Sequence, residues 1–269
     1  MKPKIAIGIS GQTRRHNKYE DEFHSGLSTL FSSEFDYDLY AHTWDDQVLP
    51  TQTHRYQSIT TTDQSLLWKY MKEQGNPFSA MVLTEQLQAS PQYKSAMSGD
   101  SSLVQLMEDC IAGIYAQLLG SWHAFDSIKD PDQYCAFVRY RWDVTARLDP
   151  PKAEVVQRTF TPQLLNLIQS NSLRTTAIAQ PMEHIEDIGD FCIVFTPPFY
   201  QKFIQTHIHN TIHNMTNHNR DIQLHTAHRL WENLITHLGA DTVLMESNAM
   251  SFLGSDWNRV EKSNKALGY

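Results

Sequence analysis

The stretch Tyr134–Val144, Y-C-A-F-V-R-Y-R-W-D-V, decides how the rest of the chain is read. It opens with β-formers and closes with charges at alternate positions. Read as one strand, its side chains alternate between two faces. Cys135, Phe137, Arg139, Arg141 and Asp143 then share one face, and Tyr134, Ala136, Val138, Tyr140, Trp142 and Val144 share the other. The second face is apolar and predicts packing on helices. The first is apolar where the strand begins and charged where it ends. Two guanidinium groups and a carboxylate at the end of a buried strand are costly unless they pair or meet a ligand. In α/β sheets ligands bind at the carboxyl ends of strands. The pattern therefore has two readings: a site for an anionic substrate or a metal, or an Arg–Asp–Arg ion network under a loop.

The N-terminus points to the same kind of sheet. Lys4–Ser10, K-I-A-I-G-I-S, predicts a buried first strand, and Gly11-Gln12-Thr13-Arg14-Arg15 a small-residue loop with two cations. Glu20–Phe31 has helical spacing, with Phe23, Leu27 and Leu30 on one stripe. The loop matches neither G-x-G-x-x-G nor the P-loop pattern. Tyr37–Trp44 predicts a second strand, ending in Asp45-Asp46, whose His42, Trp44 and Asp46 would line the same crevice as Ser10–Arg15. An Asp-Asp pair serves equally as a solvated turn or cap. Val48–Gln64 is polar and is expected to be a loop. Leu66–Lys72 reads as helix, Ala80–Thr84 as a short strand, and Leu103–Ile128 as the longest helix.

Beyond Val144 the spacing predicts a helix over Thr161–Gln169, a strand over Thr175–Ala179 and a buried strand over Asp190–Phe195. A helix is expected from Phe199 to about His213, another over His228–Leu238, and a last strand over Thr242–Glu246. The segment 207–228 carries six histidines but no H-E-x-x-H, and reads as a polar surface rather than a metal site.

Composition bounds the function. The 269 residues suit one domain with a sizeable core, and a net charge of −8 gives no broad footprint for duplex nucleic acid. The three cysteines form no C-x-x-C and read as reduced core thiols, so a cytoplasmic protein is expected. No apolar run approaches a membrane span and no signal-peptide pattern opens the chain.

Taken together, the motifs resemble a family of small nucleotide-sugar glycosyltransferases with a GT-A-like fold, of surface-polysaccharide and viral type. Three segments carry the resemblance: Ser10-Gly11-Gln12-Thr13-Arg14, Asp38-Leu39-Tyr40-Ala41-His42-Thr43-Trp44-Asp45, and Val138-Arg139-Tyr140-Arg141-Trp142-Asp143. Asp190 and Glu232-Asn233-Leu234-Ile235 are similar to two later family motifs, although Thr196-Pro197-Pro198 stands where the family has small residues and Trp231 where it has proline. The resemblance implies a GT-A-like, Rossmann-related mixed α/β sheet flanked by helices. It implies a single domain over residues 1–269, with a nucleotide-binding half 1–145 and an acceptor-side half 146–269. It implies a nucleotide-sugar donor held by Ser10, Gly11, Gln12, Arg14, Arg15, His42, Trp44, Asp45, Arg139 and Arg141. Asp143 would bind Mn²⁺ or Mg²⁺, although Arg141 stands where a D-x-D motif has its first carboxylate, so arginine forks alone are the alternative. Asp190 and Glu232 are the candidate catalytic bases. The acceptor would be a glycan or a hydroxymethylated base in phage-type DNA. The competing reading is a non-catalytic nucleotide- or glycan-binding module on a degenerate transferase fold.

Overall fold

The computed structural model describes residues 2–13, 16–63, 116–146, 158, 162–169, 174–179, 192–206, 227–246 and 250–252. The first strand, β1 (Lys4–Ser10), leads through a short 3₁₀ turn into helix α1 (Glu20–Phe31), then β2 (Asp36–Trp44) and β3 (Tyr56–Thr62). Helix α2 (116–126) precedes β4 (Ala136–Arg141) and β5 (Val144–Ala146). Helix α3 (162–169), β6 (Arg174–Ala179), β7 (Cys192–Phe195) and helix α4 (Pro197–Gln205) follow. Helix α5 (Ala227–His237), β8 (Asp241–Glu246) and β9 (Met250–Phe252) complete the described chain.

Seven strands form one sheet in the order β3-β2-β1-β4-β7-β6-β8. β3, β2, β1 and β4 run parallel, β7 runs antiparallel to β4 and β6, and β6 and β8 are parallel. The mixed α/β sheet flanked by helices expected from the sequence is therefore present, and the runs Lys4–Ser10 and Tyr37–Trp44 supply two of its strands, with Cys192–Phe195 of the Asp190–Phe195 run a third. Alternation sorts the side chains into two apolar layers. Ile5, Ile7, Ile9, Val138 and Tyr140 pack with Phe23 and Leu27 of α1 and Leu164 and Leu167 of α3. Ala6, Phe137 and Phe195 pack on the other face with Leu118 and Phe125 of α2, Phe203 of α4 and Trp231 of α5. Full burial of each such aliphatic or aromatic side chain contributes about 1.5–3 kcal/mol, so the sheet sits where both layers are served at once. Gly8 marks the tightest spot: a Cβ there would lie 2.7 Å from the Phe125 ring. A bare backbone lets that ring lie against β1.

Three expectations are corrected. The polar run expected to be a loop holds β3, paired to β2 with His42 opposite Thr60 and Trp44 opposite Thr62. At the edge of the described sheet a strand has one neighbour and half-solvated faces, so β-branched Ile59, Thr60, Thr61 and Thr62 suffice without an apolar run. The decisive stretch is also not one strand. β4 stops at Arg141, Trp142 and Asp143 form a turn, and β5 joins β9 in a separate antiparallel pair. Two-face alternation begins only at Ala136. Ahead of it Tyr134 packs beside Phe137, and Cys135 lies against the opposite layer. Helix α4 starts two residues earlier than expected, because Pro197 and Pro198 in a first turn need no N–H partner there. The helix expected over Leu66–Lys72, the strand Ala80–Thr84, the start of the long helix and His207–His225 lie outside the described residues.

Candidate active site

The carboxyl ends of β1, β2 and β4 lie side by side, and the three N-terminal motifs meet there. Ser10 stands opposite Arg141 in the β1–β4 register. The Thr43 hydroxyl donates to the Gly11 carbonyl at 3.3 Å, tying the second motif to the first. The Trp142 indole N–H donates to the His42 carbonyl at 2.9 Å, tying the third to the second across the end of β1. Gly11 turns the chain out of β1 with φ +113°, a left-handed conformation that a side chain would strain. The loop's next cations, Arg14 and Arg15, lie outside the described residues, as does Asp190.

The expected donor-binding residues divide by burial. Ser10, His42, Trp44 and Arg139 are fully or almost fully buried. Gly11 and Arg141 are partly exposed, and Gln12 and Asp45 are exposed. The first group lies beneath the strand ends, and the second reaches solvent there.

The buried group forms a polar relay under the strand ends. Ser121 on α2 donates its hydroxyl to the Gln117 carbonyl at 2.8 Å. A hydroxyl has one donor, so at 2.8 Å Ser10 must donate to Ser121, which also accepts Arg139 Nε–H at 3.4 Å. Arg139 Nη2–H reaches the Gln117 side-chain oxygen at 3.4 Å, and its guanidinium lies 5.5 Å from the Trp231 ring centroid. Arg139 is thus held between α2 and α5. Glu232, the residue after Trp231, is half-buried on α5.

His42 sits at the other side of the same floor. Its Nε2 pairs with the Thr62 hydroxyl at 2.9 Å, and its ring stacks on His123 of α2 with centroids 5.0 Å apart. A Cβ at Gly120 would come within 3.0 Å of His42 Nδ1, so the helix needs glycine to approach this closely. Burial, with His123 beside it, holds the His42 pKa down to about 3. His42 is therefore neutral at physiological pH and supports the strand ends rather than carrying charge. Behind Trp142 lies a second buried polar group: His16, its ring 4.7 Å from the indole, with Glu20 and His24.

At the mouth of the site Arg141 grips Asp143. Nε–H donates to Oδ1 and Nη2–H to Oδ2, both at 2.9 Å. Bidentate charge-assisted pairs of this kind are the strong ones. The sequence expectation put Asp143 on the strand face as a metal ligand. The turn instead swings it back onto Arg141, two residues earlier. A divalent ion at these oxygens would stand near the guanidinium charge and be repelled by it. No group of three His, Cys, Asp or Glu side chains is placed to hold a metal among the described residues. The described donor set therefore does not fit a divalent cation.

Gln117, Ser121 and His123 were not singled out from the sequence. Gln117 and Ser121 are four apart on α2 beside the buried Leu118 and Phe125. A polar i, i+4 pair bordering an apolar stripe is the signal that would have found them.

No known family profile matches the chain, and no curated protein matches it. Among solved structures it is similar to mouse xyloside xylosyltransferase 1 in its apo form, at 8% identity and TM-score 0.38, over 91% of this chain and 85% of that one. It is also similar to the galactosyltransferase LgtC in complex with donor and acceptor sugar analogues, at 10% identity and TM-score 0.44, over 89% of this chain and 73% of that one. Identities this low give no residue-level correspondence. Among the described residues no helix is long and apolar enough to cross a membrane.

Proposed function

We propose that the chain is a glycosyltransferase that moves a sugar from a nucleotide-sugar donor to a hydroxyl acceptor. The observation that carries this reading is the meeting of three motifs, spread in sequence from Ser10 to Asp143, at one set of parallel strand ends. Strand ends of this kind are where α/β sheets take nucleotides. Glycosyl transfer from such a donor needs the leaving diphosphate neutralised, and preorganised cations do this best in a partly water-excluded site. Arg141, only 13% exposed, supplies such a cation at the mouth. Gly11, Gln12 and Asp45 surround the donor's phosphates and ribose, with Arg14 and Arg15 of the first loop contributing from beyond the described residues. Ser10, Gln117, Ser121 and Arg139 hold the floor.

The acceptor is a glycan in preference to a hydroxymethylated DNA base, because a net charge of −8 opposes a polyanion. Glu232 and Asp190 are the proposed bases for the acceptor hydroxyl. Glu232 follows Trp231, which covers Arg139, so α5 carries it on the same side of the sheet as the relay.

A panel of UDP- and GDP-sugars, offered with oligosaccharide acceptors and read by mass spectrometry, tests the proposal. Release of free nucleoside diphosphate with a matching mass gain on an acceptor is the expected result. Tight nucleotide binding with no turnover on any acceptor would point instead to a binding module.

A further inference from the structure

We infer that this chain neutralises the donor diphosphate with the Arg141 guanidinium rather than with a divalent cation, and that Asp143 is the positioning residue that aims that guanidinium. The inference rests on the nucleotide-sugar reading above and concerns the same site.

Three observations lead to it. Both Asp143 oxygens accept from Arg141 at 2.9 Å, so the carboxylate is committed to the guanidinium. The turn that brings them together is anchored: Trp142, between them, is buried and donates to the His42 carbonyl. Asp45, Asp46 and Glu232, other carboxylates considered for the crevice, assemble no three-ligand set with Asp143 among the described residues. Hard divalent ions take six or more oxygens and favour several carboxylates. Here the strand end presents the Arg141 guanidinium, with Arg139 fully buried beneath it. A planar guanidinium holds its N–H donors in a fixed fork, and the two bonds to Asp143 set the direction of that fork. Asp143 locks the plane and rotamer of Arg141, so a diphosphate meets an oriented cation instead of a mobile one.

The experiment is calorimetric titration of the full chain with UDP and with GDP, once in EDTA and once in excess MnCl₂. The expected result is binding of one nucleotide with affinities in the two conditions within about threefold. Asp143→Asn should then weaken that affinity about tenfold equally in EDTA and in Mn²⁺, and Asp143→Glu, which can rebuild a fork, should recover most of the loss. Equal loss in both conditions is a signature that a metal ligand would not leave. Binding of the parent that appears only with Mn²⁺, or rises tenfold or more with it, overturns the inference while leaving the donor reading intact. Absence of binding by either nucleotide in both conditions overturns the inference together with the donor reading. The parent comparison needs no variant, so it stands even where Asp143→Asn folds poorly.

Discussion

Trp142 donates its indole N–H to the backbone carbonyl of His42 at 2.9 Å, from two strands away. β1 lies between them, so the indole spans the end of that strand. The same ring packs against His16, Phe23 and Tyr56, and its flanks are Arg141 and Asp143. One side chain thus sets the position of the fork and of the β2 terminus together. Trp142→Phe keeps much of the apolar body but leaves the His42 carbonyl without this donor. The expected cost is about 1–3 kcal/mol, read as a lowered urea midpoint. Nucleotide affinity should fall with it, because the Arg141–Asp143 turn loses its anchor. A variant as stable as the parent would show that the carbonyl finds another donor.

Arg141→Gln removes the cation whose fork holds the mostly buried Asp143 carboxylate. Destabilisation on the order of 3 kcal/mol is expected, less if water reaches Asp143. The double variant Arg141→Gln with Asp143→Asn should recover much of that stability while nucleotide binding stays lost. Thermal melts and calorimetry on the set of three check both statements. Recovery of binding in the double variant would remove Arg141 from the donor site.

Gly8→Ala tests the fit between β1 and α2. The added methyl would stand 2.7 Å from Phe125, whose ring is closed in by Phe137, Phe195, Tyr200 and Phe203. Overpacking of this type costs about 1–3 kcal/mol. Hydrogen exchange should localise the loosening to β1 and α2.

Stability should fall with pH below neutrality. Burial holds His16 and His24 down to about 4 and His42 to about 3. Nearby charges modify this: Glu20 opposes the shift at both His16 and His24, and Arg55 adds to it at His24. Each folded-state value lies below the unfolded value near 6.5, so between the two the unfolded chain binds more protons. Their contribution is fully present above about pH 6.5 and is lost as pH falls toward 4, by up to about 1.4 kcal/mol per pH unit for each histidine. Glu20 acts in the same direction lower down. Burial pushes its pKa up, but hydrogen bonds from Thr51 and Gln52 and the proximity of His16 outweigh this and hold it below its usual value. Urea midpoints from pH 7.5 to 4.5 should drop progressively. His42→Gln should flatten part of the slope, and a flat profile in the parent would contradict neutral burial.

Glu232→Gln bears on the proposed base. Turnover should fall by a hundredfold or more with nucleotide affinity unchanged, because general-base contributions are typically 10²–10⁴-fold. Unaltered turnover would pass the role to Asp190 or to neither.

The sequence by itself determined the parts that obey short-range rules. Apolar runs located β1, β2, β4 and β7, and the 3.6-residue stripe of Phe23, Leu27 and Leu30 located α1. The family resemblance grouped Ser10–Gly11, His42–Asp45 and Arg139–Asp143 as one expected donor site, and their strand ends do lie side by side. The tertiary structure alone decided which contacts those residues make. Nothing in the spacing R-x-R-x-D tells a continuing strand from a turn, and the turn at Trp142–Asp143 brings the Asp143 carboxylate onto Arg141. Likewise His42 and Trp44 alternate with Thr43 in the ordinary way. Only α2, packed over β1 and β2 through Gly8 and Gly120, makes their side of the strand the floor of the site rather than its wall. Strand pairing and helix approach join residues a hundred positions apart. Their energies depend on which surfaces exclude water together, and local patterns carry no record of that.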